Sequence, residues 1–581
     1  MISILPLLQT PIVYYAIILT IAWIFIQVIS RISSRRFIPT VNDNMVFIAF
    51  LIYVLLAMLL MNINVNLFPY LHATMLAFIL LSILSSPKAN LRLLLIATFV
   101  VALMPVLVMV STKHPLPLGD DARFPGFAIA IRNDGHWIPF KYEENPYYQF
   151  FHLIPYVEYV LAIITRSGLE NVTIYYLILK IGLYISCLIF IYLLIRIIVK
   201  NEKVSLIAIL LFSITPPSAL TQVVHENYAI VLSILSVFLI LKIRESAIHP
   251  LTSHIISICI LWIVGIIAHA TYTLILIAFI LPLMFMEKSQ KLKRTLIKLI
   301  GLLMIVSFTY WMSIFVLDML INSTINATDM LINLLTGQIF PSFSGGLQTW
   351  YTMQSSNYFV AWAFFPSIVG SYIVLTVLYK FLKKPISADN VVGAMGFLGL
   401  VTTIINYMLR SVPSFGGRYF YWLYLLMLPL SAVIITKTSK NFMSLIVSIF
   451  LVSLISFYGV QDPTMSANTY GNIISWADKT TWNISSLLVQ NLPQSSYLLV
   501  SGDQRITATL FTNYQILNKN VQLPSDRKPS LIIAGSDKIW YLNMSVLKLF
   551  IPNILNMTNS NSPENSIIFS TRSFTVYYCV Q

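Results

Sequence analysis

The chain has 581 residues, 58% of them hydrophobic and only 10% charged, with a mean hydropathy of +0.82. A soluble fold of this length has no way to hide so much apolar surface, so the composition excludes a soluble globular protein and indicates a polytopic membrane protein. The net charge of +15 does not signal nucleic-acid binding, because the basic residues come in short clusters between apolar runs, as membrane topology demands.

The first apolar run, "PIVYYAIILTIAWIFIQVIS", lacks a basic n-region and a small-residue cleavage site, and reads as a retained span rather than a signal peptide. From there the chain offers about fourteen transmembrane helices, each roughly 17–25 residues long as a ~30 Å hydrocarbon layer requires. They fall near 9–30, 45–61, 69–85, 93–111, 174–198, 204–219, 227–243, 252–268, 270–286, 297–318, 359–381, 390–409, 419–435 and 441–458. The clusters "RISSRR", "SPKANLR", "RIIVKNEK", "KIR", "EKSQKLKR", "KFLKK" and "KTSK", with Lys298, all fall on one side of this threading. The positive-inside rule makes that side cytoplasmic. The sequons starting at Asn171, Asn322, Asn326, Asn483, Asn543 and Asn556 all land on the other side, where such acceptors must be if used. Both termini then lie outside, in a multi-pass protein of the cell membrane.

Three non-membrane pieces remain: an outer loop at 112–173, a second at 319–358, and the tail. The tail carries the strand-like runs "SYLLVSG", "SLIIAGS", "NSIIFS" and "SFTVYYCV" with turn residues between them, which suit a small external α/β or β-rich C-terminal domain. The organisation expected is a transmembrane domain over 1–458 and an external domain over 459–581. The run at 150–168, "FFHLIPYVEYVLAIITRSG", does not fit this parity as a span. Pro155 and Glu158 interrupt it, and it reads as an interfacial or re-entrant helix, with a true span as the competing reading. Cys187, Cys259 and Cys579 show no metal-like spacing and imply no disulfide framework.

The densest polar stretch is 112–148, with Asp120, Asp121, Arg123, Arg132, Asp134, His136, Lys141, Glu143 and Glu144. Adjacent carboxylates at a membrane surface have three jobs open to them: general base on an acceptor hydroxyl or amine, oxygen ligands for a divalent cation, or a solvated loop. Other ionisable residues lie at the same expected external level. His225-Glu226-Asn227 precedes the seventh span, His269 lies between the eighth and ninth, and Arg410 and Arg418 flank "SVPSFGG" between the twelfth and thirteenth. A guanidinium there suits bidentate hold on a lipid phosphate, and ionisable groups near the bilayer are functional candidates by default. Arg418, next to two glycines that permit close backbone approach, is the favoured phosphate ligand. Arg410 reads equally as a snorkelling span end, and His269 as a packed or capping histidine.

From Asp120 the sequence runs Asp-Asp-Ala-Arg-Phe, then Gly135-His136-Trp137-Ile-Pro, then Tyr-Glu143-Glu144-Asn145-Pro. This resembles the first external loop of C-type glycosyltransferases, nearest the branch of protein O-mannosyltransferases and lipid A aminoarabinose transferases. In that loop Asp-Glu-x-x-Tyr is followed about fifteen residues later by Gly-Asp/His-Trp, and the interval from Asp120 to Gly135 matches. The close similarity covers some forty residues. It implies a C-type glycosyltransferase fold and transfer of a sugar from a polyprenyl-phosphate carrier to a protein, lipid or glycan acceptor outside the bilayer, with inversion. Asp120 carries over as catalytic base and Asp121 takes the place of the family's Glu. Arg418, Arg410, Arg123, His225 and Glu226 become candidates for the donor phosphate and sugar. Glu143, Glu144, Asn145, His136 and Trp137 become candidates for the acceptor loop. The resemblance implies no metal or cofactor, with Mg²⁺ or Mn²⁺ on the paired carboxylates and Glu226 as the alternative. The chain departs from the pattern where Asn145-Pro146-Tyr147 replaces a basic-Pro-Pro element, and where three extra spans precede the loop.

Two other classes fit a chain of this kind. A lipid-linked oligosaccharide flippase or other multi-span transporter would show paired halves and mid-membrane charges, but no internal repeat is evident and the charges lie at span ends. A scaffold or receptor would make Asp120 and Asp121 dispensable.

Overall fold

In a computed structural model of the chain, the described residues are 11–32, 41–85, 91–112, 172–214, 225–245, 252–269, 271–286, 290–313, 356–382, 390–408, 420–439 and 441–460. Five strand segments between 497 and 579, and isolated positions within 131–164 and 321–329, complete the set. Each of the fourteen apolar runs forms an α-helix: α1 (Pro11–Ile32), α2 (Asp43–Ile63), α3 (Phe68–Ser85), α4 (Leu91–Thr112), α5 (Val172–Val199), α6 (Glu202–Phe212), α7 (His225–Glu245), α8 (Thr252–Ala268), α9 (Thr271–Met286), α10 (Gln290–Ser313), α11 (Ser356–Leu382), α12 (Asn390–Met408), α13 (Phe420–Thr438) and α14 (Phe442–Val460). A helix satisfies its own backbone donors and acceptors, which is why apolar runs take this form in lipid. Among the described residues five stretches, Asp43–Ile63, Val65–Ser85, Ile178–Val199, Lys293–Met312 and Phe442–Val460, are long and apolar enough to cross a membrane by length and composition. The chain is a polytopic helical membrane protein. Of the run 150–168, Val157, Tyr159, Val160, Ile163 and Ile164 are helical, and the choice between re-entrant helix and span lies outside the described residues.

The sixth helix is shorter than expected. A span over 204–219 was the sequence expectation, but α6 has 11 residues and the chain turns at Ser213–Ile214. Eleven residues rise only about 17 Å, roughly half a bilayer core. Pro216 and Pro217 follow closely; proline lacks the N–H a helix needs and disfavours helical backbone in the residue before it. Asn201 caps the other end, its side chain accepting from the N–H groups of Lys203 and Val204. Every residue from Val204 to Phe212 is buried, as suits a helix that is apolar all round, and α6 packs against α13, α4 and α3.

The most extensive helix pairing joins α1 to α11. Ser367 Oγ donates to the Ala16 carbonyl at 3.1 Å, Gln27 Nε2 donates to Ser371 Oγ at 2.7 Å, and Thr20 Oγ1 lies 3.9 Å from where a Cβ would stand on Gly370. The paired numbers rise together, so the two helices run parallel, as spans one and eleven must in an alternating threading. Polar pairs tie other helices where lipid offers no partner: Tyr53 OH to His72 Nδ1 at 2.9 Å between α2 and α3, and Thr273 Oγ1 to Ser307 Oγ at 2.6 Å between α9 and α10. Thr273→Val strands the buried Ser307 hydroxyl and is expected to lower stability by about 1–2 kcal/mol. Equilibrium unfolding in mixed micelles measures it, and adding Ser307→Ala recovers much of the loss.

The tail forms a five-stranded mixed sheet of β1 (Tyr497–Val500), β2 (Gln515–Ile516), β3 (Leu531–Gly535), β4 (Asn565–Ser570) and β5 (Phe574–Cys579). Its order is β2-β1-β3-β5-β4. β1 pairs in parallel with β2 and β3, while β5 pairs antiparallel with β3 and β4, with an irregularity at Ile567/Phe569. Four of these strands lie in the four apolar runs read from the sequence. The fifth, β2, is only two residues long and carries no legible alternation. By compactness the chain divides into one unit of Met1–Thr112, Ile181–Thr221 and His225–Met465, and another of Lys113–Lys180, Gln222–Val224 and Ser466–Gln581.

Candidate functional site

Asp120, Asp121, Arg123, His136, Trp137, Glu143, Glu144, Asn145, Arg410 and Arg418 lie outside the described residues, as do the side chains of His225 and Glu226. The helices that carry these segments are described. Asp120 stands eight positions beyond the end of α4 at Thr112, in the connection that leads to α5. Arg410 and Arg418 stand two positions outside α12 and α13, beyond Met408 and before Phe420. These two helices pack along each other, and a Cβ on Gly396 would overlap the Leu430 side chain. Gly396 lies twelve positions before Met408 and Leu430 ten after Phe420. The connection 409–419 joins the two helices, so Arg410 and Arg418 stand near its two ends.

His225 and Glu226 form the first turn of α7, and the next residue, Asn227, is buried. α7 packs against both α8 and α9. Tyr272, at the start of α9, fixes the depth of that contact. Its hydroxyl hydrogen-bonds Ser236 Oγ at 2.7 Å, and its carbonyl accepts from Ser233 Oγ at 3.5 Å. The ring is wholly buried and lies against Gly265 of α8, where a Cβ would overlap it. Ser233 is eight residues along α7 from His225, about 12 Å at 1.5 Å per residue. Tyr272 therefore meets α7 about 12 Å along that helix from its first residue.

His269 is 3% exposed. Its N–H donates to the Gly265 carbonyl at 3.1 Å and its carbonyl accepts from Tyr272 N–H at 3.1 Å. Its backbone closes α8 and opens α9, the capping role read for it.

One charged residue escaped the sequence reading. Lys180, in "YLILKIGLY" of α5, is 2% exposed, the third turn of an otherwise apolar stretch. An ammonium taken out of water at such a depth carries a desolvation penalty of several kcal/mol before compensation, which makes it a functional candidate. The signal was visible as a lone lysine far from the basic clusters at the other end of the spans, but a single lysine in a 28-residue helix whose other charge, Arg196, lies in its last turn barely moves a hydropathy average. Among the described residues no three His, Cys, Asp or Glu side chains gather as metal ligands.

No family model matches the chain, and no curated protein matches it. Among solved structures it is similar to the crystal structure of ArnT from Cupriavidus metallidurans in the apo state, at 12% identity and a TM-score of 0.38, covering 83% of this chain and 97% of that one.

Proposed function

We propose that the chain is an integral-membrane glycosyltransferase that moves a sugar from a polyprenyl-phosphate carrier to an acceptor at the external face of the membrane. The observation that carries this reading is the carboxylate pair Asp120-Asp121 followed after fifteen residues by Gly135-His136-Trp137, on the long connection between two apolar helices of a polytopic bundle. In the proposed reaction Asp120 accepts the proton of the acceptor hydroxyl or amine as that atom forms its bond to the anomeric carbon. The bond from the anomeric carbon to the phosphate oxygen breaks on the opposite face, the electron pair leaves with polyprenyl phosphate, and configuration inverts. Asp121 holds the field around Asp120. Arg418, with Arg410 and Arg123, offsets the growing charge on the leaving phosphate, where preorganised donors act most strongly. His225 and Glu226 contact the donor sugar, and His136, Trp137, Glu143, Glu144 and Asn145 the acceptor. The reaction requires no metal, so EDTA leaves the rate unchanged.

The deciding assay uses the purified full-length chain in lipid, offered a panel of polyprenyl-phosphate sugars, with release of polyprenyl phosphate measured with and without acceptors. Acceptor-stimulated release supports the proposal. Movement of the intact lipid-linked sugar across the bilayer without release would make the chain a transporter instead. Within that assay Arg418→Gln is expected to lower kcat/KM for the donor about tenfold to a hundredfold, the worth of one charge-assisted hydrogen bond. Arg418→Lys, which keeps the charge but loses the fork, recovers part of it.

A further inference from the structure

The outward stripe of α10 changes character once along its length. Arg294 and Lys298 are exposed, one turn apart on one face. One turn beyond Lys298 the stripe continues as Leu302, Ile305, Phe308 and Met312, which are 49%, 66%, 41% and 63% exposed. Leu302 to Met312 is ten residues, about 15 Å, half the ~30 Å hydrocarbon core and so the depth of one leaflet. The opposite face, with Leu296, Leu303 and Trp311, is buried in the bundle.

Among the described residues, the cations at the head of this stripe have no carboxylate partner. α10 has no acidic residue in its first turn, and among the described residues no carboxylate pairs with Lys293, Arg294 or Lys298. Like charges at i and i+4 repel. Basic groups elsewhere in the bundle are differently served. Arg196 donates to Tyr192 OH at 3.3 Å and lies over its ring, and Lys242 lies over the Phe238 ring. A basic cluster that served topology alone has no need to sit in line with the lipid-facing stripe.

We propose that this stripe binds an anionic glycerophospholipid of the adjacent leaflet, its headgroup on Arg294 and Lys298, and its acyl chains along Leu302, Ile305, Phe308 and Met312. Charge complementarity selects a net-negative lipid over a zwitterionic one, at about fivefold per basic residue near the surface. The guanidinium of Arg294 engages the phosphate oxygens, and the ammonium of Lys298 adds a second positive charge beside them. This site is independent of the sugar-transfer proposal.

The test uses the full-length chain in nanodiscs of phosphatidylcholine containing one-tenth phosphatidylglycerol, with lipids retained by the released protein counted by native mass spectrometry. Wild type is expected to retain phosphatidylglycerol well above its share. Arg294→Gln with Lys298→Gln lowers that preference about 25-fold at fivefold per charge. The charge-preserving exchange Arg294→Lys with Lys298→Arg keeps most of it, and Arg92→Gln, which removes an exposed charge at the start of α4, lowers it by no more than about fivefold, the worth of one charge. An undiminished preference in the double Gln variant, or an equal loss in Arg92→Gln, would overturn the site. Should the double variant fail to fold, wild type in rising salt decides: a surface attraction fades as the screening length falls to about 3 Å at 1 M, and a preference that persists there sinks the proposal.

Discussion

Replacing Asp120 by Asn is expected to reduce acceptor-dependent release of polyprenyl phosphate by about a hundredfold to ten-thousandfold, the usual contribution of a positioned general base. The change removes one proton-accepting oxygen and keeps the shape of the side chain, so it separates chemistry from packing. The KM for the donor stays near wild type, because in the proposed mechanism Asp120 touches the acceptor rather than the phosphate. Asp121→Asn has the smaller effect, since its role is to shape the field around its neighbour. The helical bundle keeps its unfolding midpoint in both variants, because the substitution falls in a connection between helices. Wild-type turnover in Asp120→Asn would end the glycosyltransferase proposal. A loss confined to slow background hydrolysis, with acceptor-dependent transfer intact, would move the base to another residue.

The helices of this protein are legible in its sequence because lipid leaves a chain few options, and each apolar run had to satisfy its own backbone. The misjudged ends have local causes. α6 stops at Phe212, ahead of Pro216 and Pro217, which an apolar average passes over. α10 begins at Gln290 rather than near 297, because lysine and arginine are good helix formers and the helix runs on past the apolar layer. The sequence marked where charge begins, and the helix does not end there. Tertiary contacts were not legible. Gln27 and Ser371 are 344 positions apart, and nothing in either run announces the other. Lys180 shows the converse failure, a single informative residue hidden in the average of its helix. The candidate site was legible only as a motif, and its loop lies outside the described residues.

Gly265→Leu is expected to destabilise the bundle by about 3 kcal/mol or more when overpacking and a lost hydrogen bond are combined. The smaller change Gly265→Ala is the sharper test, because two effects of opposite sign compete. In a helix interior Ala is favoured over Gly by about 1 kcal/mol. Here the new methyl would overlap the Tyr272 ring, and the ring has little freedom to give way. Its hydroxyl is bonded to Ser236 Oγ at 2.7 Å, its N–H to the His269 carbonyl at 3.1 Å, and it is wholly buried. Overpacking at such a site costs about 1–3 kcal/mol, so Gly265→Ala is expected to lower stability despite the better helix former. Tyr272→Leu opens the space, and in that background Gly265→Ala becomes neutral or stabilising. Equilibrium unfolding of the four proteins in mixed micelles gives the coupling directly. A coupling of about 1 kcal/mol or more makes the glycine a packing requirement of the α8–α9 turn, while additivity within about 0.5 kcal/mol would show that the ring moves aside freely.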